Sequence, residues 1–325
     1  MPAILVASGA GLFIANQKND ELQIIRHTLQ NQPLTSVAAT KTIIVVGSPN
    51  GMMRSVDQGQ SWQSINVDPK HIRWLGSSES QDELILAGTE PAGIIVSRDG
   101  GYRWNQSPDV FRLRDAHRWF LPYSPEAGCV RGFAFAESVH GARIYAAVEV
   151  GGVLVSTDMG ESWQLADGSD GVPDFSRDLG TMIHPDVHSI CAHPLSNQIV
   201  TAPTGGGLFR SHDAGRTWIN IYTCYIRAAW VDPADPEHII AGPAENVSRN
   251  GRIEESMDGG QSWQNSAHGL QTPWRRHMVE RFFEVDGQLY AVLSNGELLQ
   301  RSLQEKNWRR VFEQISSAAA VASGL

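Results

Sequence analysis

One octapeptide, Ser156-Thr157-Asp158-Met159-Gly160-Glu161-Ser162-Trp163, constrains this chain more than any other stretch. Its Ser-x-Asp-x-Gly-x-x-Trp spacing returns from Ser55 to Trp62, Ser97 to Trp104, Ser211 to Trp218 and Ser256 to Trp263. Repetition of this kind means that each unit buries its apolar face on its neighbours, so the repeat decides the architecture. The box has a physical reading. The Asp can accept hydrogen bonds from backbone N–H groups of its own turn, and the Gly supplies a positive φ. The Trp then buries a large ring against the adjoining repeat. Such a turn fixes a fold and leaves the chemistry to other residues.

Each repeat reads as four short strands, with the box between the third and the fourth. Around Cys129 these are Cys129–Ala136, Arg143–Val148, Gly152–Ser156 and Trp163–Ala166. Four antiparallel strands per repeat describe a propeller blade, so the fold class is all-β and residues 1–325 read as a single propeller domain. Blades are expected over Leu34–Asn66, His71–Ser107, Cys129–Asp167, Val187–Ile221, Tyr225–Ser266 and Met278–Val311. A seventh is composite: Ala3–Val6, Gly11–Ala15 and Glu21–Ile25 lack a first strand, which Ile315–Ala322 would supply. Joining the two termini removes the open sheet edges at the seam. The alternative is six blades with the terminal segments outside the ring.

The 31 glycines suit tight turns, and the formal charge of −9 argues against a nucleic-acid or anionic-membrane partner. The N-terminus lacks a basic flank and apolar core, and no apolar run reaches spanning length. Three scattered cysteines, Cys129, Cys191 and Cys224, point to a reducing compartment without a disulfide framework. The expectation is a cytoplasmic protein.

Three connections are long, 108–128, 168–186 and 267–277, and lie on the face opposite the boxes. Long loops on a rigid scaffold are where function concentrates, so that rim is the one to search. Aligning the first strands collects Arg73, Arg131, His188, Arg227 and Glu280 near the central channel. Three guanidinium forks from three blades suit a carboxylate, phosphate or sulfate, so a small anionic ligand is expected there. The turns between second and third strands add Glu90 and Glu149 at equivalent positions, with Glu245 in a later blade. Paired carboxylates whose pKa values are split apart can act as acid and base, so Glu90, Glu149 and His188 are the catalytic candidates. The plainer alternative pairs each Glu with the arginine of its own blade. His71, Asp186 and Tyr225 flank the arginines and complete the substrate-binding set with Arg73, Arg131, Arg227 and Glu280. His184, His188 and Glu149 are candidates for one divalent metal, with a His–Asp acid/base pair in the same segment as the alternative. Otherwise no cofactor is implied. Trp119, Phe120, Tyr123 and Trp274 offer an apolar wall or lid.

The five boxes resemble the Asp-box, or BNR, repeat of sialidases, large xyloglucan hydrolases, sortilin-type receptor domains and a photosystem II assembly factor. The resemblance covers Leu34 to Ser266 best. Gly88–Ser97, Ala147–Trp163 and Asp186–Trp218 are similar to bacterial single-domain proteins described as BNR-repeat, glycosyl-hydrolase-like. The resemblance implies a sialidase-like propeller fold, and with the channel arginines the expectation is a hydrolase- or lyase-like enzyme acting on an anionic, sugar-like substrate. A typical sialidase would add an Arg-Ile-Pro element, which is absent from the sequence. The assembly factor gives the alternative, a non-catalytic propeller that docks a protein partner.

Overall fold

A computed structural model describes residues 3–18, 21–78, 80–81, 83–121, 127–138, 141–315 and 317–324. Its strands form seven four-stranded antiparallel sheets. Blades 1 to 6 run over 36–65, 71–106, 130–165, 191–222, 225–265 and 279–311. Blade 7 is composite. Ala318–Ser323 supplies its innermost strand and pairs antiparallel with Ile4–Ser8, with Val6 opposite Val321. Gly11–Lys18 and Glu21–Thr28 complete that sheet. The seven-blade reading therefore holds, including its seam, and the six-blade alternative falls. The core lies between blades. Leu86, Ile94, Val96, Val130, Ile144 and Trp163, for example, are buried together between blades 2 and 3. Among the described residues no helix is long and apolar enough to cross a membrane.

The boxes do what their chemistry implies. In blade 3 the Ser156 hydroxyl accepts the Gly160 N–H at 2.8 Å and donates to Asp158 Oδ1 at 2.7 Å. Asp158 in turn accepts the Ser162 N–H at 2.9 Å. Gly160 has φ +83°, where a Cβ would be strained. Ser156 is 1% exposed, so removing its hydroxyl orphans the buried N–H of Gly160. Ser156→Ala is therefore expected to cost about 1–3 kcal/mol, read as a lower urea midpoint at unchanged slope.

The long connection after blade 2 is not all loop: Pro108–His117 is a helix. Ser107, Pro108 and Asp109 are a helix-start signature that the strand-rich pattern around them obscures. Val110 buries into the blade 2–3 core, and Asp109 Oδ2 accepts the Trp163 N–H at 3.2 Å. Trp119 and Trp274 are buried wall residues and form no lid. The Trp119 indole donates to the Gly171 carbonyl at 2.9 Å. Phe120 is exposed, and Tyr123 lies outside the described residues.

What positions the channel residues is a recurring bulge in the innermost strands. In blade 2, Ile72 opposes Thr89 while Trp74 opposes Gly88, leaving Arg73 as the extra residue. The same register shift singles out Arg131 between Val130 and Gly132, and Glu280 between Val279 and Arg281. In blade 5 it falls between Ile226 and Ala229, at Arg227 and Ala228. In blade 4, Val187 opposes Thr204 while Cys191 opposes Thr201, so the stretch holding His188 also has one residue too many. A bulged residue leaves the ladder and its side chain is re-aimed, here to the channel.

Candidate functional site at the channel mouth

The residues expected at the channel do converge, but as an ion-pair network. Arg131 Nη1 lies 3.0 Å from Glu149 Oε1, and its Nη2 is 3.8 Å from Glu280 Oε2. Glu280 also takes Arg227 Nη1 at 2.5 Å. Arg73 Nε and His71 Nδ1 approach Glu90 Oε2 at 3.4 and 3.7 Å. Glu90 and Glu149 therefore each pair with the arginine of their own blade, as the plainer alternative had it. Burial alone would raise the Glu149 carboxyl, but Arg131 and the Cys129 thiol hold it below the usual carboxylate range. That makes it a poor general base. Cys129 donates its S–H to Glu149 Oε2 at 3.1 Å, and burial pushes the thiol up to about 12, so it stays protonated.

Behind this network sit Asp186, His188 and Tyr225. His188 Nε2 is 3.1 Å from Asp186 Oδ2 and 3.5 Å from Tyr225 Oη, and Arg227 Nε donates to Tyr225 Oη at 3.0 Å. Burial, then Glu149, pushes Asp186 up to about 7. Burial and the Arg131 charge drive His188 well below its ordinary value, so the imidazole is neutral. Both are buried, Asp186 at 7% exposed and His188 at 1%. Asp186 Oδ1 and His188 Nδ1 have no hydrogen-bond partner among the described residues.

A gap in the sequence pattern explains Asp186. Glu149 N–H donates to the Cys129 carbonyl, and Gly205 N–H donates likewise to Asp186, so Gly205 holds the register position that Glu90 and Glu149 hold. A Cβ on Gly205 would come within 2.4 Å of Asp186 Oδ2. The hairpin thus gives up its own carboxylate and admits one from the facing strand. In blade 5, Tyr225 opposes Ala244, so Glu245 is displaced from the series and pairs with Arg249 at 3.7 Å.

The expected metal site is not formed. Among the described residues no three His, Cys, Asp or Glu side chains come together to hold an ion. His184 Nδ1 accepts the Asp186 N–H at 3.2 Å and its ring packs on Phe175, while Arg131 occupies Glu149. Burial pushes His184 down to about 4.

One residue escaped the sequence reading: Arg281. Strict alternation would turn it away from Glu280, but the bulge turns both to the channel. Arg281 Nη2 donates to the Arg131 carbonyl at 2.9 Å, and Nη1 to those of Glu280 and Arg227 at 2.9 and 3.4 Å. Its guanidinium lies 4.7 Å from the Trp74 ring, and burial and Arg131 push it down to about 9, still charged at neutral pH. The signal was present as a cation immediately after a bulge. Arg73, Arg131, Glu280 and Arg281 line a cavity of about 380 Å³ on the long-loop face, with the turn 294–296 and the segment 317–319. Arg73, Arg131, Arg227 and Arg281 face Glu90, Glu149 and Glu280, so the cluster has one more cation than carboxylate while Asp186 is protonated.

No protein-family profile matches the chain, and no curated protein matches it by sequence. Solved structures do. An ancestral GH74 enzyme superposes at TM-score 0.61 and 16% identity over 83% of this chain, which spans 36% of that enzyme's length. YCF48 bound to D1 peptide gives 0.59 and 15%, covering 93% of this chain and 88% of that one. The extracellular domain of a one-component system from B. thetaiotaomicron gives 0.60 and 13%, covering 92% and 36%. At these identities the likeness extends to the fold: the chain is a seven-bladed β-propeller.

Proposed function

We propose that the channel mouth binds a small anionic, sugar-like molecule and that the propeller acts on it as a hydrolase- or lyase-like enzyme. The observation that carries this is Arg281, a buried guanidinium whose hydrogen bonds among the described residues go to carbonyls and which faces a cavity of ligand size. It supplies the positive excess that the paired Arg73, Arg131 and Arg227 do not. Asp186, raised toward neutrality and hydrogen-bonded to His188, is the group best suited to hold and give a proton near pH 7. The catalytic role first assigned to Glu90 and Glu149 passes to Asp186, His188 keeps its own, and Tyr225 Oη lies within reach of both His188 and Arg227. The five boxes support placing the chain with the Asp-box (BNR) propellers. Residues 1–325 are taken as one functional unit, and the three free cysteines support a cytoplasmic setting.

Calorimetric titration with D-glucuronate and inorganic phosphate tests the binding step. Wild type should bind at least one of them, and Arg73→Gln should weaken that binding about tenfold, the loss of one charge-assisted contact. Asp186→Asn should abolish turnover while keeping affinity. Heat-silent titrations would favour the second reading, a protein-docking propeller. That reading draws support from the arginine–carboxylate pairing and from exposed Phe120 and Val247.

A further inference from the structure

The larger cavity lies at the other end of the channel. It measures about 700 Å³ and is set among the innermost strands of blades 1, 2, 3, 6 and 7. Four aromatic rings line it, Trp74, Phe133, Phe135 and Phe283, together with aliphatic Val37, Leu75 and Val321. All four rings are only partly buried. Partly exposed aromatics gathered in one concavity stand apart from the exposed large apolar residues, which are spread along the chain.

The walls are fixed from behind. Trp74 stacks on Phe283 with ring centroids 6.0 Å apart, and the Arg281 guanidinium sits 4.7 Å from the indole. Phe133 leans on Trp163 and is seated against Gly76, where a Cβ would stand 3.1 Å from its ring. Of the polar side chains at the rim, Lys41 borders the mouth, while Ser77 and Glu284 are engaged elsewhere. Ser77 Oγ donates to the Ala39 carbonyl at 3.1 Å, and Glu284 Oε2 accepts the Trp230 indole N–H at 3.0 Å. The interior therefore offers preorganised ring faces and little hydrogen bonding, the chemistry of an apolar ligand. Trp74 borders this cavity and the charged one above it, so the channel is partitioned at Trp74 and Arg281.

We infer that the box-face end of the channel is a binding site for a small uncharged aromatic or polycyclic molecule, separate from the anion site. The volume fits one such molecule, and its place inside the ring of inner strands excludes the broad face of a folded partner. The inference does not depend on the proposed enzymatic function. The neutral fluorophore N-phenyl-1-naphthylamine is the probe, since its lack of charge keeps it out of the upper cavity.

Wild type should give a saturable, one-to-one rise in probe fluorescence at micromolar concentration, undisturbed by saturating inorganic phosphate. Ser323 lines the cavity and is exposed, so Ser323→Trp should fill the mouth without touching the core and reduce affinity at least tenfold. Phe135→Ala removes one wall and should weaken binding several-fold. Melting temperatures recorded alongside separate lost binding from lost folding. Absence of saturable binding in wild type, or equal binding by a folded Ser323→Trp variant, overturns the inference. So does displacement of the probe by phosphate, which would make the two cavities one site.

Discussion

Glu149→Gln is expected to lower the unfolding free energy by on the order of 3 kcal/mol, the low end for breaking a buried ion pair. Glu149 and Arg131 face each other at 3.0 Å with side chains 15% and 9% exposed, and Cys129 donates to the second carboxylate oxygen. Gln keeps one acceptor for Arg131 but leaves its charge answered only by Glu280 at 3.8 Å. The pH dependence has a definite sign. The folded Glu149 carboxyl lies below its usual range of about 4.3. Its stabilisation is therefore present above that value and is lost as pH falls through the folded pKa. Urea midpoints at pH 7 and pH 4 check both points: the deficit of the variant should be large at pH 7 and smaller in acid. An unchanged midpoint at pH 7, with loss of anion binding, would return Glu149 to a ligand-facing role.

The architecture was legible because the box is a self-contained turn. Ser156, Asp158 and Gly160 satisfy one another locally, so their spacing in sequence already encodes their geometry. The composite blade was legible for a related reason: three strands at one end and one at the other leave edges that only mutual pairing removes. The helix at Pro108–His117 was missed because its single buried residue, Val110, gives almost no apolar period to read.

The site was legible only in part. Which residues reach the channel follows from the register of the first strands, and Arg73, Arg131, Arg227 and Glu280 were found that way. What they do on arrival depends on distances between blades, which no local pattern carries. Arg131 meets Glu280 from three blades further on, and Arg281 meets the Arg131 carbonyl across the channel. That Asp186 stands beside His188 was legible, but the room for its carboxylate was not. That room comes from the bare Gly205 opposite, where a Cβ would stand 2.4 Å from Asp186 Oδ2.

Arg281→Met is expected to remove anion binding at the channel mouth, a loss of about ten- to a hundredfold, while moving stability by only about 1 kcal/mol. Two terms oppose each other in the fold. The variant leaves the carbonyls of Arg131, Glu280 and Arg227 without their shared donor, which destabilises. It also removes a cation whose burial beside Arg131 is itself unfavourable, as the lowered pKa of about 9 records. Arg131 and Glu280 border a cavity large enough for water, so replacement hydrogen bonds are at hand there and the terms nearly offset. Binding has no such compensation. Without Arg281 the remaining Arg73, Arg131 and Arg227 are matched one for one by Glu90, Glu149 and Glu280, and the excess cation is gone. Arg281→Lys separates charge from geometry: one ammonium cannot span three carbonyls, but it restores the positive excess and should recover part of the affinity. Titration of both variants with the ligand that binds wild type, beside their thermal melts, reads the two quantities independently. Full affinity in a folded Arg281→Met protein would show that the guanidinium is a strut of the channel and that the anion site lies elsewhere.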